Sequence, residues 1–192
     1  GMNFIQLNCS KAPFDNIDAR KAMAYATDKE SMLYGILDGD GTIVDTFATS
    51  EYLGYTDEVT KYPYDLEKAK ELFDKAGVDG STEIEIILYN TKASKFAQVL
   101  QNSLKEIGIN ATISQMERSA FDDAAVSVSG NIVVDGGTFT APTIDEVLYS
   151  AILSSQMNVR NFSKFSDARV DELLDTARVT LDENERAALY QE

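Results

Sequence analysis

Between residues 83 and 113 the spacing of apolar side chains changes twice. Glu83-Ile84-Glu85-Ile86-Ile87-Leu88-Tyr89 reads as the clearest strand in the chain. From about Ser94 the apolar residues Phe96, Val99, Leu100, Leu104 and Ile107 recur at helical spacing, and Gly108 stops them. Ile109-Asn110-Ala111-Thr112-Ile113 then alternates again. Strand, helix, glycine, strand is a βαβ unit. Its two strands are expected to run parallel, as neighbours or one strand apart in one sheet.

The same two periods set out the rest. Phe4-Ile5-Gln6-Leu7-Asn8 is a short strand, and a loop with Pro13 follows. Asp15 or Asn16 is placed to cap a helix carrying Ile17, Ala22, Met23, Tyr25 and Ala26, and Asp28 to cap another through Met32, Leu33, Ile36 and Leu37. Residues 38–64 are loop-rich. Asp65 caps a helix with Leu66, Ala69, Leu72, Phe73 and Ala76, closed by Gly77. Ala120 to Val126 reads as a short helix, and Ile132-Val133-Val134 as a buried strand ending in Asp135-Gly136-Gly137. Helices are expected around 144–154 and 167–181, the second capped by Asp167 and lined by Val170, Leu173, Leu174, Ala177 and Leu181. Asp182 with Glu185 forms a capping box for a last helix, still in progress at Glu192. The class is α/β, a three-layer lobe around a mixed sheet. A chain that opens in a strand and closes inside a helix reads as a piece of a larger protein.

Composition narrows the chemistry. The chain has 192 residues, enough for one domain with a real core. Its net charge is −15, from 32 acidic and 17 basic residues, which repels phosphate backbones and anionic lipid, so no nucleic-acid partner is expected. There is no histidine and a single cysteine, Cys9. Ser-His and Cys-His nucleophiles and His-containing zinc sites are therefore excluded, and no intramolecular disulfide can form. Carboxylate or lysine catalysis survives. No run approaches the roughly 20 apolar residues of a membrane span. Gln6-Leu7-Asn8-Cys9 has the outline of a lipoprotein box, but Asn8 is too large for its position, so Cys9 reads as a strand-end residue. Gly1-Met2 reads as an expression scar, leaving 3–192 as one unit.

Three motifs carry possible chemistry. Asp38-Gly39-Asp40-Gly41 has the look of a calcium loop, yet with Gly41 at the central glycine the first and last ligands become Ile36 and Phe47. It reads as a glycine-rich turn, and no metal or cofactor is expected. Glu83 and Glu85 share one strand face, where a solvated surface is the plain reading and acid–base work the functional one. The third is the loop after the buried strand. Gly136, Gly137, Thr138, Phe139 and Thr140 offer close backbone approach, hydroxyls and an apolar wall where α/β sheets favour ligands. A plain tight turn is the alternative. No catalytic residue is assigned.

Three stretches resemble the peptide-type solute-binding proteins of ABC importers (family 5), a family that also includes nickel, haem and oligosaccharide binders. They are Pro13-Phe14-Asp15-Asn16 with Arg20, Ala22, Tyr25-Ala26 and Asp28-Lys29-Glu30; Tyr64-Asp65 with Ala69-Lys70-Glu71-Leu72 and Ala76-Gly77, followed by Leu100 to Ile109; and Val170 to Leu174 with Glu185-Arg186 and Leu189-Tyr190. The resemblance covers nearly the whole chain in order. It implies the C-terminal lobe of a type II periplasmic-binding-protein-like fold, in a two-lobed secreted and usually lipid-anchored protein that closes on its solute by hinge bending. Its partners would be an oligopeptide, sugar or other small solute, the N-terminal lobe of the same protein and an ABC permease. It would be a binding protein rather than an enzyme. The family usually carries a tryptophan after the buried strand, and then an aspartate that in peptide binders takes the ligand's α-ammonium. Laid without gaps on Gly136 to Leu148, the tryptophan position is Gly137 and the aspartate position Thr140; matching Pro142 instead puts Thr138 there. The missing acid implies a neutral or N-blocked solute, such as a sugar, with Asp135 and Asp145 as the acids that could substitute. The rival classes are a carboxylate-based hydrolase and a stand-alone interaction module.

Overall fold

The computed structural model describes residues 1–127, 129–137 and 143–192. Its centre is a four-stranded mixed sheet in the order β1-β4-β2-β3, built from β1 (Met2–Leu7), β2 (Ile84–Leu88), β3 (Ala111–Gln115) and β4 (Ile132–Gly137). β2 and β3 are parallel and directly paired, Ile86 opposite Ile113, as the βαβ pattern requires. β4 also runs parallel to β2, with Ile87 opposite Val133, while β1 runs antiparallel on its other side. The sheet is therefore mixed.

Most of the helices begin where a short polar side chain accepts a free amide. Asn16 caps α1 (Ile17–Tyr25), Asp28 caps α2 (Lys29–Ile36) and Asp65 caps α3 (Leu66–Lys75). Asn90 accepts from the Ala93 amide and starts α4 at Thr91, three residues ahead of the expected Ser94. The apolar period could not mark that polar first turn. α4 runs to Glu106, where Gly108 turns left-handed and the Ile109 amide reaches back to Leu104. Ile109 is thus a buried helix stop, and β3 begins two residues later than its alternation suggested. The other helices are α5 (Arg118–Ser127), α6 (Asp145–Ala151), α7 (Ala168–Val179) and α8 (Glu183–Gln191). Leu181 was expected to line α7, but Thr180 turns extended after it and leaves Leu181 92% exposed. Asp182 then caps α8 by accepting from Asn184 and Glu185.

Strand alternation divides the core. Ile84, Ile86, Leu88, Ile132 and Val134 face one way, into a cluster with Phe14 and Met23 near and in α1, Phe73 of α3 and Leu100 and Leu104 of α4. Ile87 and Val133 face the other way, against Phe121 and Ala125 of α5 and Phe162. Helices cover both faces, which gives the expected three layers. A third cluster joins Ala48 to Ile144 and Leu148 of α6, Leu153, and Leu174 of α7.

Asn131 locks the entry to β4. It is buried, its Oδ1 accepts from the Glu85 amide at 2.8 Å, and its Nδ2 donates to the Ala12 carbonyl at 2.8 Å. Its own backbone bonds Glu85 and Asn8. Asn131→Ala abandons a donor and an acceptor at once, at about 1–3 kcal/mol for each buried group. Urea denaturation is expected to show a loss in that range. A midpoint unchanged in Asn131→Ala would contradict this role.

Candidate ligand-binding site

The parallel strands β2 and β4 deliver their carboxyl ends to one edge of the sheet, and antiparallel β1 starts there. Tyr89 follows the end of β2, while Asp135, Gly136 and Gly137 end β4. The sequence reading ends the buried strand in Asp135-Gly136-Gly137, and the ladder runs through all three: Phe4 faces Asp135, Asn3 faces Gly136 and Met2 faces Gly137. Met2, set aside as a scar, is the first residue of β1. Gly136 permits this extension, because a Cβ there would lie 2.8 Å from the Met2 carbonyl oxygen. Thr138, Phe139 and Thr140 lie outside the described residues.

Around that edge the two faces differ. On the α1–α2 side a cavity of about 510 Å³ is walled by Ile5, Met23, Met32, Leu33, Ile43 and Val134, with Lys29 and Asp40 at its margin. Its size suits a small solute. On the α5 side lies Asp135, since it alternates with Val134 and shares Val133's face. Tyr89 packs there with its ring 5.0 Å from that of Phe121, and the Arg118 guanidinium sits 4.5 Å above the Tyr89 ring. Arg118 Nε donates to both carboxylate oxygens of Asp122 at 2.9 Å. Those bonds hold the guanidinium's pKa above its ordinary value, with smaller help from the negative charges of Asp122 and Asp135. Asp135 itself is 7% exposed, and its Oδ1 has no hydrogen-bond partner.

Asp145 has a different environment. At the first turn of α6, its Oδ1 accepts from the Tyr190 hydroxyl at 3.2 Å and lies 3.3 Å from Arg178 Nε. Arg178 in turn stacks 3.6 Å over the Tyr149 ring. Gly54 presses on Tyr190, and Leu53 bridges Thr143, so the 48–55 loop is pinned to α8 and to the residue two before α6. This acid is committed to structure. The remaining sequence candidates stay apart. Glu85 accepts from the Ser114 hydroxyl at 2.6 Å across the sheet, Glu83 is exposed before β2, and the 38–41 run is a turn closing α2. Among the described residues no group of three or more acids and Cys9 is gathered for a metal, and no helix is long and apolar enough to cross a membrane.

The Arg118–Tyr89 stack and the unmatched oxygen of Asp135 were not legible from the sequence. Both depend on which strands adjoin. The only local signal was position, each residue standing at a strand's carboxyl end.

A mixed α/β sheet covered on both faces, with its parallel strands ending at one side, is the architecture of periplasmic-binding-protein-like structures. The comparisons specify the family: residues 1–158 match the family described as bacterial extracellular solute-binding proteins, family 5 Middle, and the chain belongs to it. The family consists of transport binding proteins rather than enzymes, periplasmic or extracellular. The chain is 29% identical over its full length to the Di/tripeptide-binding protein 1 of Pseudomonas aeruginosa and spans 37% of that protein. It is 29% identical to the dipeptide-binding protein of Escherichia coli, 38% of which it spans. Among solved structures, HbpA2 from Haemophilus parasuis superposes with a TM-score of 0.93 at 27% identity, over 99% of this chain and 39% of that one. DppA from Helicobacter pylori in complex with the peptide STSA superposes at 0.91 and 27% identity, over 98% of this chain and 38% of that one.

Two predictions test this geometry. Gly136→Ala is expected to cost about 1–3 kcal/mol and to expose β1 amides to hydrogen exchange before those of β2; unaltered β1 protection would argue against the close approach. The second concerns alkaline stability. Burial first, and then the negative charge of Asp145, pushes the Tyr190 phenol up to about 12 from an ordinary value near 10. A raised pKa means that the stabilisation is complete below the unfolded value and is lost as pH rises through the folded one. Thermal stability should therefore fall between pH 10 and 12 through this group, and Tyr190→Phe should flatten that slope. An identical slope in the variant would sink the assignment.

Proposed function

We propose that residues 3–192 form the C-terminal ligand-binding lobe of a two-lobed extracytoplasmic binding protein, with 1–2 a scar, that captures an oligopeptide-like or other small solute for an ABC permease. The observation that carries this reading is the convergence of β2, β4 and β1 on one edge, with an apolar cavity on one side and a charged, aromatic cluster on the other. The site is Gly136 and Gly137 with the following Thr138, Phe139 and Thr140, completed by the N-terminal lobe. The named ligands of relatives and neighbours, dipeptides, tripeptides and the peptide STSA, support a peptide-like solute. A cell-surface lipid anchor or a periplasmic location fits the family's extracellular description. The protein binds without turning its solute over.

Titration calorimetry tests the half-site. A micromolar ligand has roughly −8 kcal/mol of binding free energy, and half of that is a dissociation constant on the order of 1 mM. Full-length protein is expected to bind members of a dipeptide and oligosaccharide panel at micromolar concentration, and this lobe alone about a thousandfold more weakly. Equal affinity in the two, or release of hydrolysed glycoside or ester by either, would contradict the proposal.

A further inference from the structure

The cavity on the α1–α2 side has walls of one kind. Met23, Met32, Phe96 and Val134 line it, and each is at most 8% exposed. Ile5 adds to the aliphatic wall, and Ile43, 38% exposed, marks the mouth. Among the described residues that line it, Lys29 and Asp40 carry the charged side chains. Lys29 gives its ammonium to Asp45 at 2.6 Å, and Asp40 stands exposed at the rim.

These walls select by polarity. A charged group that entered would leave water for aliphatic surface, and the cation at the margin is already paired. An uncharged apolar group gains by the same transfer. Met23 and Met32 are unbranched thioethers, which reshape around occupants of different outline. The cavity is also continuous with the glycine end of β4. Asn3 lines it and pairs with Gly136 across the ladder, with its Oδ1 3.2 Å from the point that a Gly136 Cβ would occupy.

We propose that this cavity is a receptor for a small uncharged apolar group, aliphatic or aromatic, and that Met23 and Met32 adapt it to groups of different shape. A solute held at the Gly136–Gly137 edge reaches the cavity past Asn3. Selection is then by apolarity and size, within the volume of about 510 Å³, rather than by one fixed outline. This inference rests on the solute-binding reading above and adds to it the apolar character of one end of the ligand.

The test uses full-length protein with methyl-labelled methionine, and benzyl alcohol, Gly-Gly, Gly-Leu and Gly-Glu as probes. Benzyl alcohol, an apolar ring without a charge, is expected to shift the Met23 and Met32 methyl resonances saturably. In calorimetry Gly-Leu is expected to bind about 10- to 100-fold more tightly than Gly-Gly or Gly-Glu. Ile43→Asp places a charge at the mouth, at an exposed position, and should bring that ratio close to one. Ala24→Phe, at a half-buried lining position of α1, puts a ring into the cavity. It should abolish the benzyl alcohol shift while melting at or above the wild-type temperature. Equal affinity for Gly-Leu and Gly-Gly with unmoved methionine methyls overturns the proposal and leaves the solute-binding reading standing. Shifts in residues 1–192 alone that are absent from full-length protein mean that the rest of the chain fills the cavity, which also overturns it. Saturable methionine shifts with no dipeptide bound support the cavity and count against the peptide-like solute.

Discussion

The lobe depends on β4 being paired along both edges and covered on both faces. Ile132, Val133, Val134 and Asp135 are each at most 7% exposed, between β1 on one side and β2 on the other. A strand so enclosed must satisfy all its backbone groups through its neighbours, so its register is fixed by them. Asn131 sets where that register begins, and Gly136 lets it run on to the edge of the sheet. One consequence is chemical. Any side chain at position 135 that points under α5 is taken out of water, whatever its charge.

Two arrangements of charge follow from the same enclosure. Asp145 sits where Arg178 and Tyr190 converge from other helices, and its oxygens are used to fasten α6, α8 and the 48–55 loop together. Asp135 sits inside the sheet's own layer, buried, with the positive charge of Arg118 felt from the α5 side. Both are aspartates near one edge of one sheet. One is held by partners on other helices, and the other keeps one oxygen that meets no donor.

Local signals read well where a single element carried them. The caps at Asp28, Asp65, Asp167 and Asp182 and the stops at Gly77 and Gly108 lie where the chain's short-range chemistry placed them. The parallel pairing of β2 with β3 followed from the helix between them. Boundaries moved where burial acted on one residue: Ile109 has a strand-former's side chain but serves as a helix stop, and Leu181 has a core side chain but stands in water. Of the candidate site, Gly136 and Gly137 were legible as a glycine pair ending the buried strand, and their pairing with β1 was not.

The sequence by itself determined the α/β class, several helix caps and stops, and the family, because capping, glycine stops and hydrophobic period act over a few residues. It also determined that no histidine chemistry is available. Tertiary structure decided which aspartate is committed and which is not. Asp135 and Asp145 look alike in the chain, and their difference comes from Gln6, Arg118, Arg178 and Tyr190, drawn from positions scattered between β1 and α8. A carboxylate's chemistry is set by the donors and low-dielectric surfaces within a few ångströms of it, and only the packed chain brings those together.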